Sequence, residues 1–157
     1  MILTTGQIIF RLLLSALLSG LIGLEREFRH KPAGLRTNIL VGVGSTLVML
    51  TSIYVTSLDN GDPTRIASGV LTGIGFLGAG VIIRGQGEKA SDEEMVHGIT
   101  TAATIWIMAA IGLAVGLGFY LAAVFTTILA LAVLCGLNSD KIRGRIDNNH
   151  KHNESQE

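Results

Sequence analysis

The chain has 157 residues, of which 48% are hydrophobic and only 15% are charged, whereas soluble globular domains have about 25% charged residues. Lysine plus arginine and aspartate plus glutamate both number 12, so the net charge gives no reason to expect a nucleic-acid partner. This composition is typical of a membrane protein and indicates the lipid bilayer as its surroundings. The single cysteine, Cys135, cannot form an internal disulfide.

Three apolar runs come first along the chain. A bilayer core about 30 Å thick needs roughly 20 helical residues with a rise of about 1.5 Å each. Residues 7–30 contain the first run together with the charged residues that end it, and residues 35–58 and 66–84 contain the second and third. We therefore predict three transmembrane helices in these ranges.

The fourth apolar run, residues 98–137, is too long for one span. It has forty residues without a charge, and as a single helix it would be about 60 Å long, twice the thickness of the hydrocarbon core. We predict that it turns back within the glycine-rich segment GLAVGLG (112–118), which gives spans at 98–114 and 119–137. The predicted fold is all-α, a polytopic membrane protein with five transmembrane helices over residues 1–137.

The positions of the basic residues predict the orientation in the membrane. Lysine and arginine collect in cytoplasmic segments, and with five spans ten of the twelve fall on one side, leaving only Arg11 and Arg65 on the other. We therefore predict that the N-terminus is outside and the C-terminus inside, with Arg11 reaching the outer headgroups. Residues 138–157 are polar and lack a hydrophobic period, so we expect a largely disordered cytoplasmic tail.

The third predicted span is rich in glycine. Small residues let helix backbones approach closely in lipid, where no hydrophobic force drives helices together. We expect this helix to lie at the centre of the bundle, with glycines that serve packing or a homodimer contact. The alternative is that GIGFLGAG (73–80) breaks the helix and exposes carbonyl groups along an ion pathway. The glycines concerned are Gly69, Gly73, Gly75, Gly78 and Gly80.

A polar stretch, GLEREFRHKPAGLRTN (23–38), joins the first two spans. Glu25 borders an apolar run, where an unpaired charge is costly, so we expect it to pair with Arg29 or Arg36. Glu25 and Glu27 point about 200° away from each other on a helix, so they cannot hold one metal ion together. The predicted functional polar cluster, whose last two members complete its hydrogen bonds, consists of Glu25, Arg26, Arg29, Arg36, Thr37 and Asn38.

The sequence has no pattern typical of an enzyme or a metal site. The four histidines lie in two loops and the tail, no nucleophile stands in a triad context, and no cysteine or histidine cluster has metal-ligand spacing. We therefore predict no catalytic residue, no bound metal and no cofactor. Trp106 lies in the middle of a span, away from the interfacial aromatic belts, so we expect it to face the interior of the bundle.

Three stretches of the sequence together resemble the MgtC/SapB family of bacterial inner-membrane proteins. They are GLIGLEREFRHKPAGLRTNILVGVGS (20–45), TGIGFLGAGVIIR (72–84) and GITTAATIWIMAAIGLAVGLGFY (98–120). The resemblance implies a five-span domain in the bacterial cytoplasmic (inner) membrane. The signature positions that it implies in the first two stretches include Glu25, Arg26, Arg36, Thr37, Asn38, Gly73, Gly75, Gly78 and Gly80. The third stretch contributes Gly98, Thr101 and Trp106, with Thr100 where some members have asparagine.

The resemblance also implies a regulatory function. Members of the family are linked to growth under magnesium limitation and to survival inside macrophages, and they regulate other membrane proteins, including the ATP synthase. Because the fifth predicted span is followed only by the short polar tail, we expect a short member without the soluble C-terminal domain of the best-known members. We expect a short MgtC/SapB-like regulator with a membrane-protein partner. The alternative is a small transporter or channel for magnesium or another cation, which would need polar groups along a path through the bundle.

Overall fold

The computed structural model describes residues 3–59, 61–84 and 98–136. Within these ranges the protein contains helices and no strands, so the predicted all-α fold with five helices is confirmed. The predicted tail, residues 138–157, lies outside the described residues. The helices are α1 (Thr5–Phe28), α2 (Leu35–Asp59), α3 (Thr64–Arg84), α4 (Ile99–Leu117) and α5 (Tyr120–Gly136).

Four of the five helices are long and apolar enough to cross a bilayer. These are α1 to α4, and each has at least 18 residues and few charges in its most apolar part. The fifth helix, α5, is equally apolar but has 17 residues. A helix of that length is about 26 Å long, at the lower end of the range for transmembrane helices. The protein is a multi-pass membrane protein.

The turn between α4 and α5 comes at the end of the glycine-rich segment. Gly118 has a left-handed backbone, with φ of 92°, which glycine adopts without strain. Its N–H donates to the carbonyl of Val115 at 3.0 Å and closes the end of α4. Gly112 and Gly116 lie inside the helix, so the predicted end of the fourth span at residue 114 was three residues too early.

Helix α4 occupies the centre of the bundle and contacts all four other helices. Its glycines allow a close approach to α2, because a Cβ atom added to Gly112 would collide with the carbonyl oxygen of Gly42. A Cβ atom at Gly116 would lie 2.6 Å from the Cβ of Met49. The hydroxyl of Thr46 donates to the Gly112 carbonyl at 2.8 Å across the same contact. Small residues therefore bring α2 and α4 together, as expected for helices in lipid.

The apolar core lies where α1, α4 and α5 meet. Ile22, Met108 and Val115 are fully buried there, and leucine and alanine side chains surround them. Helix α1 presents a different, small-residue face to α2, where a Cβ atom at Gly42 would collide with the Ser19 hydroxyl. Helix α1 thus packs with apolar side chains on one side and through close backbone contact on the other.

Helix α3 lies at the edge of the bundle, and the prediction that it would occupy the centre was wrong for the single chain. It contacts α4 and α2 but not α1 or α5. No described atom lies within 4 Å of a Cβ added to its outward glycines, whereas one at Gly78 would contact the Cβ of Ala102 at 3.5 Å. The helix is continuous, so the alternative of a break within residues 73–80 is not found. The outward glycines are Gly69, Gly73, Gly75 and Gly80.

Candidate functional site

The loop between α1 and α2 is held by Asn38, which is fully buried. Its side-chain amide donates to the carbonyls of Ala33 at 2.5 Å and Gly34 at 2.9 Å. These bonds fix a tight turn in which His30 and Ala33 have left-handed backbones, with φ of 52° and 56°, a conformation that is uncommon outside glycine. Asn38 therefore orders the loop, rather than completing the hydrogen bonds of Glu25 as the sequence suggested.

Glu25 forms an ion pair with Arg29, one of its two predicted partners. The Arg29 Nε and a Glu25 carboxylate oxygen lie 2.5 Å apart, and the Glu25 side chain is only 8% exposed. Arg29 also donates to the carbonyl of Cys135 at 3.3 Å, near the end of α5. A cation at a helix C-terminus is favoured by the helix dipole. The ion pair thus joins the last turn of α1 to the end of α5.

Glu27 was not in the predicted cluster, and the structure gives it a separate role. Its carboxylate accepts a hydrogen bond from the backbone N–H of Leu35 at 2.8 Å. Gly34 permits this approach, because a Cβ atom there would lie 2.9 Å from the same carboxylate oxygen. The carboxylate caps the N-terminus of α2, where negative charge is stabilised. Glu25 and Glu27 therefore serve different partners.

Arg26 reaches across to the first turn of α4. Its guanidinium Nη2 donates to the hydroxyl of Thr101 at 3.1 Å, and the residue is only 4% exposed. Its Nε is buried and has no hydrogen-bond partner among the described residues. A charge held in this way is costly in the interior of a membrane protein.

Gly98 precedes α4 and meets the end of α3. Its φ is 95°, so its backbone is left-handed. A Cβ atom there would lie 2.9 Å from the carbonyl oxygen of Val81 and 3.3 Å from the Cα of Ile82. Both the backbone conformation and the lack of space require glycine at this position.

The other predicted site residues lie on the surface. Arg36 and Thr37 are exposed on the first turn of α2, and the described part of the chain gives neither side chain a hydrogen bond or ion pair. The predicted pairing of Arg36 with Glu25 is therefore not found. Thr100 is exposed, and its carbonyl accepts from the hydroxyl of Thr104 at 2.7 Å. Trp106 is 49% exposed, so the prediction that it faces the interior was wrong.

Comparison with known proteins identifies the family. Residues 12–141 match the MgtC family over most of the chain. The chain belongs to the MgtC family. It is 47% identical to the protein MgtC of Brucella abortus over 119 residues, which are 74% of this chain and 45% of that protein. The MgtC protein of Salmonella typhimurium is also 47% identical, over 123 residues that are 78% of this chain and 49% of that protein.

A third relative has a different name. It is the "Putative magnesium transporter YhiD" of Escherichia coli, 45% identical over 137 residues, which are 83% of this chain and 60% of YhiD. The chain thus spans between about half and three fifths of the length of these curated relatives. No solved structure matches the chain.

The three stretches that resemble the MgtC/SapB family meet at one end of the bundle. Arg26 from the first stretch bonds Thr101 from the third. Gly98, at the start of the third stretch, lies against Val81 in the second stretch. Gly78 in the second stretch lies against Ala102 in the third. Residues from three separate parts of the sequence therefore form one contact network, which we call the motif junction.

A second arginine of α1 was expected only to reach the lipid headgroups, and the structure gives it protein partners. Arg11 is half-buried, and its guanidinium donates to the carbonyl of Gly116 at 2.6 Å and to the hydroxyl of Tyr120 at 2.9 Å. The guanidinium also lies 5.8 Å from the centre of the Tyr120 ring. Its position in an apolar run was the available signal, because a charge inside a span usually has a partner.

The acidic side chains near the motif junction bond to other parts of the chain. No group of three or more histidine, cysteine or acidic side chains that could hold a metal ion occurs within residues 3–59, 61–84 and 98–136. The two acidic side chains in this region pair with Arg29 and with the N-terminus of α2. Polar contacts of α1 with α2, α4 and α5 join these four helices at one end of the bundle.

Proposed function

We propose that this MgtC-family protein regulates another membrane protein during adaptation to low magnesium or to host-like stress. It acts in the bacterial inner membrane, without enzymatic activity, with its N-terminus outside and its C-terminus inside. The relatives named MgtC support the family context, and the distribution of basic residues supports the orientation.

The motif junction is the observation that carries this proposal. Arg26 of the junction bonds Thr101 of α4, and the neighbouring Glu25 and Glu27 bond other parts of the same chain, so these contacts brace the bundle. A braced bundle can present a fixed surface to a partner helix. The outward glycines of α3 offer such a surface, because small residues allow another helix to approach closely. A membrane-protein partner or a second copy of the chain would bind there.

Complementation of a bacterial strain that lacks its own MgtC-family protein tests the proposal. The wild-type chain should restore growth in magnesium-limited medium. Gly73→Leu should abolish the rescue, because the side chain would occupy the outward face of α3 without touching a described atom. Gly44→Leu is the matched control, since Gly44 is an exposed glycine of α2 with equally open surroundings. Equal rescue by both variants, at equal protein levels, would refute the α3 surface.

The alternative function, ion transport, has one observation in its favour beyond the name of YhiD. Helix α2 buries several polar residues, and the neighbouring α1 has two buried serines whose hydroxyls have no described partner. They could serve a cation if α1 and α2 moved apart, because in this structure Gly42 and Ser19 close the contact. The buried polar residues are Ser15, Ser19, Asn38, Ser45, Thr46 and Ser52.

Flux into proteoliposomes distinguishes the two functions. The regulatory proposal expects no saturable flux of magnesium, potassium or protons through the purified protein. A saturable flux that Ser19→Ala reduces would establish transport instead. Thr51→Ala is the control, because Thr51 is exposed and its hydroxyl bonds only to the Leu47 carbonyl of its own helix.

A further inference from the structure

The N-terminus of α4 differs from those of the first three helices. Thr4 caps α1 through its hydroxyl, Glu27 caps α2, and Asp62 accepts the backbone N–H of Thr64 at 2.8 Å at the start of α3. At α4 the capping position is Gly98, and no side chain caps the described first turn. The free N–H groups of a helix N-terminus carry partial positive charge and attract anions.

Arg26 adds a full positive charge at the same place. Its hydrogen bond to Thr101 puts the guanidinium against the first turn of α4. The residue is 96% buried, since only 4% of it is exposed, and its Nε–H lacks a described partner. The neighbouring acid on α1, Glu25, is paired with Arg29. Glu25 also attracts Arg26 electrostatically, but no described hydrogen bond joins Arg26 to a carboxylate. The guanidinium and the N-terminus of α4 are therefore two adjacent positive features.

We propose that Arg26 and the first turn of α4 bind a phosphate group. A guanidinium and a helix N-terminus are the two features that most often hold phosphate in proteins, through charge-assisted bonds and backbone N–H groups. A phosphate would accept from the Arg26 Nε–H and neutralise both positive features. Such a ligand accounts for a buried arginine that the described residues leave incompletely bonded.

The site lies at the depth where two sources of phosphate are available. Arg26 is two residues from the end of α1, and Phe28 and Ile99 are exposed apolar residues at the same end of the bundle. The phosphate of a lipid headgroup and free inorganic phosphate can both approach this level. The chemistry of recognition is the same for both, and the experiment separates them.

Thermal unfolding of the purified, delipidated full chain in a neutral detergent tests the site. Inorganic phosphate, exchanged for chloride at constant ionic strength, should raise the Tm of the wild type by about 3–6 °C at roughly ten times its Kd. Arg26→Met should remove this rise. Thr101→Asp should remove it as well, because its carboxylate would replace the ligand beside Arg26. Arg36→Met is the control and should keep the rise, since Arg36 is exposed.

Native mass spectrometry with added phosphatidic acid or phosphatidylglycerol forms the lipid arm. If the source is a headgroup, one lipid should remain bound to the wild type and to Arg36→Met but not to Arg26→Met. Hydrogen exchange on the wild type alone gives a readout that needs no folded variant. The ligand should slow exchange at the backbone N–H groups of Ile99 and Thr100. The proposal fails if neither phosphate nor lipid protects these groups and neither distinguishes Arg26→Met from the wild type.

Discussion

The two arginines inside α1 meet opposite ends of α4. Arg11 donates to the carbonyl of Gly116 in the last turn, where the helix dipole favours a cation, and its other bond goes to Tyr120. Arg26 lies against the first turn, where the dipole disfavours a cation, and its described bonding is limited to one hydroxyl. The same side chain is thus placed favourably at one end of a helix and unfavourably at the other.

This difference separates a residue that stabilises the fold from one that is kept for another reason. A buried charge whose own chain satisfies it contributes to stability, whereas a poorly satisfied one costs free energy and indicates a function. Arg11 lies outside the three stretches that resemble the family, and Arg26 lies within the first of them. The stability and the binding behaviour of the two arginines should therefore respond in opposite ways to substitution.

The largest effect is expected from replacing each arginine by methionine in phosphate-free detergent. Arg11→Met removes two charge-assisted hydrogen bonds and should lower the free energy of unfolding by about 2–4 kcal/mol. Arg26→Met removes a poorly satisfied charge and should leave it within about 1 kcal/mol of the wild type, or raise it. Denaturant titration of both variants measures the difference. Equal destabilisation would show that the two arginines are alike and would break the comparison.

A smaller effect isolates the bond between Arg11 and Tyr120. Tyr120→Phe keeps the ring but removes the hydroxyl that accepts from the Arg11 Nε, so the free energy of unfolding should fall by about 1–2 kcal/mol. Tyr54→Phe is the matched control in the same titration, because Tyr54 is exposed. No difference between these variants would mean that Arg11 depends on the Gly116 carbonyl alone.

The N-terminus of α2 gives a third and weaker test. Glu27→Gln keeps an acceptor for the Leu35 N–H but removes the negative charge, so unfolding should become easier by about 0.5 kcal/mol. Lys31→Gln, an exposed change in the same loop, serves as the control. The loss should shrink at high salt because exposed charges are screened. A loss that salt leaves unchanged would assign the effect to hydrogen-bond geometry instead of charge.

The sequence predicted the structural features that depend on a single helix. Runs of apolar residues predicted the five helices, and the place of Glu25 beside an apolar run predicted an ion pair, which Arg29 forms. The bond between Arg26 and Thr101 joins residues 75 positions apart. The bond depends on how α1 is rotated about its axis. The sequence does not specify this rotation, because the residues that precede Arg26 in α1 are mostly apolar.

The same limit explains the errors for α3 and Trp106. Small residues on a helix predict a close contact but not the partner, and the outward glycines of α3 have no described neighbour within the chain. Trp106 was expected to face inward because it is large and lies in mid-span, yet lipid accepts such a side chain as readily as the interior does. In a membrane, burial cannot be inferred from hydrophobicity.

The smallest effect concerns the acidic cap of α3, the counterpart of the α4 N-terminus, for which the described residues supply no side-chain cap. The N–H and hydroxyl of Thr64 donate to the Asp62 carboxylate and hold the pKa of Asp62 below its ordinary value of 3.8. A lowered pKa in the folded state means that this cap stabilises the protein at neutral pH, and that its contribution fades as the pH falls from about 3.8 through the folded pKa.

Carboxyl NMR titration should give a higher pKa for Asp62 in Thr64→Val than in the wild type. Thr5→Val is the control, since Thr5 is exposed at the start of another helix. If Thr64→Val left the pKa unchanged, the Asp62 carboxylate would not cap α3 through Thr64, and this difference between α3 and the described N-terminus of α4 would disappear.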